Sequence, residues 1–156
     1  SLCGAGAAGR EPWGIRLSAT GSVDGRDTNN FVGEEAGASD GYDSRDVEKA
    51  PPAGSLMLSV LNKTWGANSG RYARDVRAIG PSKLWNCEVR SGVSQKVTLS
   101  WDTMKSLPKG TSLRLYDQAT RRSVVMRPGG SYTFQADAGT PKLFQLVANR
   151  RGGRVR

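Results

Sequence analysis

Six oxygen-bearing side chains, Asp24, Asp27, Asn30, Asp40, Asp43 and Asp46, stand in one stretch that has little apolar periodicity. Hard cations take such ligands from carboxylates, amides and loop carbonyls, so the set is a candidate Ca2+ site. The spacing is not that of an EF-hand, because the glycine and the closing glutamate are misplaced. A structural role competes for the same residues, since Asx-type side chains cap turns and satisfy loop backbone. Asp40 and Asp43 also form a carboxylate pair of the type glycosidases use. Nothing in the sequence places that pair in a cleft.

Histidine is absent, which removes the commonest general base and the commonest transition-metal ligand. Serine or cysteine triads that need an imidazole are excluded. Two cysteines, Cys3 and Cys87, are too few for a cysteine-rich zinc site. They are candidates for a disulfide in an oxidising compartment, or for two free thiols, Cys87 being a buried one. The chain is expected to be non-catalytic and to need no cofactor, Ca2+ excepted.

Of the four tryptophans, Trp13, Trp85 and Trp101 fall at alternating strand positions and read as core. Trp65 lies in a loop and is the candidate exposed platform for a sugar ring. Asn62-Lys63-Thr64 beside it is an N-glycosylation sequon.

These residues must be positioned by strands. With 156 residues the chain fits one domain, and its 20 glycines and 7 prolines favour short elements joined by turns. Trp13, Ile15 and Leu17 alternate in a first strand over 13–19. Residues 20–54 follow as a long acidic loop, anchored by Phe31, Val32, Tyr42 and Val47. Strands are then predicted near 55–62, 72–79, 84–91, 95–101, 112–117, 123–127, 131–136 and 142–148. Alternation is clear in Trp85, Cys87 and Val89, in Val97, Leu99 and Trp101, and in Tyr132 and Phe134. This spacing predicts an all-β chain, an antiparallel immunoglobulin-like β-sandwich of about eight or nine strands. A flexible N-terminal arm is expected over 1–12, the sandwich over 13–149 and a basic tail over 150–156.

The formal charge is +9, with acidic residues between Asp24 and Glu48 and basic ones dominant from Lys63 onward. Such asymmetry suits head-to-tail association of like subunits. The run from Arg150 to Arg156 is a single RGG-like segment, too short to make nucleic acid the expected partner. No apolar run is long enough for a membrane helix. The start at Ser1-Leu2-Cys3-Gly4 reads as that of a processed product.

One resemblance adds to this reading. Trp13, Asp27, Asn30-Phe31, the segment Ala38-Ser39-Asp40-Gly41-Tyr42-Asp43 and Pro51-Pro52 are similar in order to the start of an uncharacterised family of secreted bacterial modules. Trp65-Gly66, Asp75-Val76-Arg77, the segment Val97-Thr98-Leu99-Ser100-Trp101, Tyr132, Phe134 and Leu143-Phe144 continue it, over about residues 13–148. The resemblance implies an immunoglobulin- or fibronectin-like sandwich that stands at the C-terminal end of larger exported proteins. It implies a secreted location and a scaffolding or attachment role at the cell surface or matrix. The expected function is a structural module of a filament or surface layer, polymerising when its arm adds a strand to a neighbour's sheet. The alternative is a carbohydrate-binding or adhesive module that uses Trp65 and the acidic loop.

Overall fold

Apolar residues two apart fix which face of each strand turns inward. In a computed structural model, which describes residues 11–52 and 54–151, that alternation produces eleven strands. They are β1 (Trp13–Gly21), β2 (Arg26–Glu34), β3 (Val47–Glu48), β4 (Leu56–Asn62), β5 (Gly70–Arg77) and β6 (Ser82–Ser91). β7 (Gln95–Lys105), β8 (Thr111–Asp117), β9 (Arg122–Val125), β10 (Ser131–Ala136) and β11 (Lys142–Arg150) complete the set. The arm's residues 1–10, with Cys3, and the tail's residues 152–156 lie outside the described residues.

The strands form one mixed sheet in the order β10-β7-β1-β2-β5-β4-β6-β11-β8-β9, with β3 added on β5. The sheet curls into a nearly closed barrel, so the expected two-sheet sandwich is not what forms. The reason lies in β5. Its first residues pair antiparallel with β4, through Tyr72 and Val60. Its last four, Arg74 to Arg77, pair parallel with Phe31 to Glu34 of β2. That parallel ladder joins what would have been two sheets into one.

The long acidic loop is likewise corrected, because β2 lies inside it. The register of β2 on β1 sets Asn30, Val32 and Glu34 opposite Leu17, Ile15 and Trp13, the inward positions. Two of those three are polar, which hides the strand from a hydrophobic pattern. Of the expected loop anchors, Val32 is buried and Phe31 half-buried under the Arg74 guanidinium, whereas Tyr42 and Val47 are exposed. Phe31 also covers Gly14 of β1, whose Cβ position the Phe31 ring occupies.

The interior is one core. Trp13 of β1 meets Trp85 of β6 edge-on, with centroids 5.7 Å apart. Phe144 of β11 meets Phe134 of β10 at 4.9 Å. Large side chains thus cross the barrel from wall to wall, and burial of this kind supplies most of the stabilisation.

Candidate functional site

The six candidate metal ligands do not gather. Asp24, in the β1–β2 turn, accepts from the Ser55 hydroxyl at 2.8 Å. Asp27 and Asn30 lie together where β2 faces β4, and Asp27 Oδ2 accepts the Leu58 amide at 3.0 Å. The cation in their oxygen cradle is the ammonium of Lys49, 2.7 Å from Asp27 Oδ2 and hydrogen-bonded to Asn30 Oδ1. Asp40, Asp43 and Asp46 belong to the segment after β2. Asp40 accepts the Ala78 amide and lies 3.4 Å from Lys83 Nζ. Asp43 accepts the Ser39 and Arg45 amides. Asp46 accepts the amides of Val76 and Asp43. Among the described residues no three carboxylate, thiol or imidazole groups cluster as a metal would require. The turn-capping role describes these contacts.

The same accounting reaches the rest of the acidic segment. Glu34, buried, accepts from Trp13 Nε1 at 2.7 Å and lies 3.3 Å from Arg150. Glu35 pairs with Arg45 and Arg74. Much of the acidic segment is engaged by its own cations, while Asp24 and Glu48 stay exposed without an ion pair among the described residues.

Among the described residues Cys87 has no disulfide partner, and its candidate partner Cys3 lies outside them. As a thiol on the core face of β6 it is buried, and burial pushes its pKa up to about 12. A thiol so protonated is inert as a nucleophile. Asn62 of the sequon is buried and donates to Asp75 at 3.1 Å, so the folded chain does not present it for glycosylation.

Trp65 follows β4 and begins a single 3-10 turn, Gly66–Asn68. It is half-buried, held edge-on against Tyr72 at 4.9 Å and Tyr42 at 6.2 Å. The Tyr72 hydroxyl donates to the Asn68 carbonyl and ties the turn to β5. Burial holds that phenol above its usual pKa, with Glu48 adding to the effect, so the donor stays protonated. Trp65 forms one wall of a cleft of about 490 Å3, shared with Lys63, Arg77, Asn86, Gln118 and Leu143. Of these only Trp65 is marked by sequence. Lys63 comes from the same β4–β5 connection, whereas Arg77, Asn86, Gln118 and Leu143 arrive from β5, β6, the β8–β9 turn and β11, and no local spacing connects them.

A second feature is the unclosed seam between the two terminal strands. β9 and β10 make no ladder with each other. Residues 126–130 cross from one to the other, anchored where Arg127 and Gly130 carbonyls accept from Trp101. One side-chain bond also spans it, from the Tyr132 hydroxyl to Asp117 Oδ2 at 2.7 Å. The Trp101 amide bonds Gly130, so odd-numbered residues of β7 point their backbone at β10. In antiparallel pairing the even residues Tyr132, Phe134 and Ala136 then bond β7. Ser131, Thr133 and Gln135 turn their amides and carbonyls to the free edge. β9 is four residues long, begins with Arg122 and is preceded by Arg121, charges of the kind that guard an edge. The β10 edge carries no charge, proline or bulge.

Comparison with known proteins found no matching family model, no similar curated protein and no similar solved structure. Among the described residues no helix is long and apolar enough to cross a membrane.

Proposed function

We propose that this chain is a non-catalytic structural module that assembles with further copies of itself outside the cell. The observation that carries the reading is the unguarded β10 edge, where Ser131, Thr133 and Gln135 leave main-chain groups for an added strand. Strand addition takes its affinity from such groups and its register from side chains on alternate positions. Residues 1–12 of a neighbouring copy are the donor in this reading. The extracellular placement rests on the resemblance to secreted bacterial modules. The lack of histidine, and the commitment of Asp40 and Asp43 to contacts within their own chain, support a role without chemistry.

Sedimentation velocity over a concentration series tests this. Gln135→Pro deletes one amide that faces the free edge and costs no bond to β7, a position where proline is tolerated. The wild type is expected to form oligomers that Gln135→Pro and a 1–10 deletion both abolish. A wild type that stays monomeric to millimolar concentration contradicts the proposal.

A further inference from the structure

We propose that the Trp65 cleft binds a carboxylated sugar residue, a hexuronate within an acidic polysaccharide. The cleft shares no residue with the β10 edge, so the inference stands apart from assembly.

Its size, about 490 Å3, is that of a small-ligand site and accommodates one or two pyranose rings. Its aromatic wall is fixed in place. Trp65 is braced by two tyrosines and cannot swing away without breaking both edge contacts. A pyranose presents a patch of C–H groups on one face, and an indole is the flat apolar surface that patch packs against.

The polar complement follows from which groups are already engaged. Arg77 is held by Asp75 through two nitrogens, 3.2 and 3.0 Å from its carboxylate oxygens. Asp40 is offset by Lys83. Lys63 lines the cleft, is exposed and makes no ion pair within the described residues. The cleft therefore carries one uncompensated positive charge, which matches one carboxylate. Thr64 and Gln118 are exposed at its rim, and their side chains make no hydrogen bond among the described residues. Among the described residues Asn86 lends only its side-chain carbonyl, to Gln145 at 3.4 Å, and its amide nitrogen is left to donate. Amides and hydroxyls of this kind hydrogen-bond sugar hydroxyls, while the aromatic and the ammonium set ring position and charge preference.

The one carboxylate lining the cleft, Asp40, is paired with Lys83 and accepts the Ala78 amide, and no second carboxylate lines the cleft beside it, so the cleft binds the sugar and leaves it intact. Binding of this sort attaches a module to an acidic matrix.

Isothermal titration of the full chain with trigalacturonate is the test, at about 150 mM salt, where diffuse surface attraction is screened. Wild type is expected to bind with quenching of tryptophan fluorescence. Lys63→Gln is expected to weaken binding about tenfold, and Gln118→Ala several-fold. Both positions are exposed, so both variants keep the fold, which their unchanged melting temperatures verify. Trp65→Phe is expected to abolish the quenching. Absence of binding at millimolar trigalacturonate overturns the proposal. Equal affinity in wild type, Lys63→Gln and Gln118→Ala also overturns it, because binding would then come from general surface charge.

Discussion

Trp13 and Trp85 show how much a single hydrogen bond decides inside this barrel. Both indoles are fully buried, and they touch. Trp13 Nε1 donates to the Glu34 carboxylate, whereas Trp85 Nε1 has no partner among the described residues. Trp13→Phe leaves a buried carboxylate short of a donor, which costs about 1–3 kcal/mol beyond lost volume. Trp85→Phe removes an unsatisfied donor and so costs less. Urea melts of the two variants are expected to rank in that order, and the reverse ranking contradicts the buried-acid account. Lys49 gives the second prediction at this scale. Removing it by Lys49→Ala strands the Asp27 carboxylate and is expected to destabilise by several kcal/mol, about 3–5 for a broken buried pair. Added Ca2+ is expected to leave the wild-type melting temperature unchanged, since the ammonium already fills the oxygen cradle. The inward tryptophans were legible from alternation. The acid–base partners were not, because Lys49 stands 22 positions from Asp27 and Arg150 stands 116 from Glu34.

Strands with apolar inner faces were readable from sequence, and β1, β4, β6, β7, β8 and β10 fall where alternation places them. β2 was not readable. Its inner face carries Asn30 and Glu34, each satisfied by groups from other elements. Hydrophobic periodicity detects burial by transfer energy and is blind to burial secured by hydrogen bonds. The consequence was large, since the missed strand is the one that pairs in parallel with β5 and joins the sheet. The β8–β9 turn is a smaller case. Asp117 Oδ1 accepts the amides of Ala119 and Thr120, and the turn then places Arg121 at a φ of 60°. That region disfavours most side chains, so Arg121→Gly is expected to raise stability by up to about 1 kcal/mol. Thermal melts check it, and a loss of stability would show that the arginine side chain is needed there.

Across the whole molecule, a +9 chain has folded much of its acidic segment, Asp27, Glu34, Glu35 and Asp43 included, onto its own lysines and arginines. Burial works against the charged forms of Asp117 and Glu88, yet their hydrogen bonds prevail. Tyr132, Thr120 and Ala119 hold Asp117 below the usual carboxylate range, and Arg71 and Arg90 do so for Glu88. A carboxylate with a lowered folded pKa contributes stability above its unfolded value, near 4, and loses it as pH falls through the folded value. Asp46 has the opposite sign, because burial raises its pKa, and it offsets part of the effect. The protein is expected to lose stability as pH drops below about 4, and Asp117→Asn to shrink that loss. Urea midpoints at pH 6 and pH 3 measure both. Assembly is a property of the whole barrel, and it depends on the seam left open between β9 and β10. Amide hydrogen exchange reads that seam directly. In dilute protein the amides of Ser131, Thr133 and Gln135 are expected to exchange fast while those of Tyr132 and Phe134 are protected by β7. At high concentration the first three should become protected as copies join. If the chain assembles while those three amides still exchange at the dilute rate, or never assembles, strand addition at β10 is contradicted.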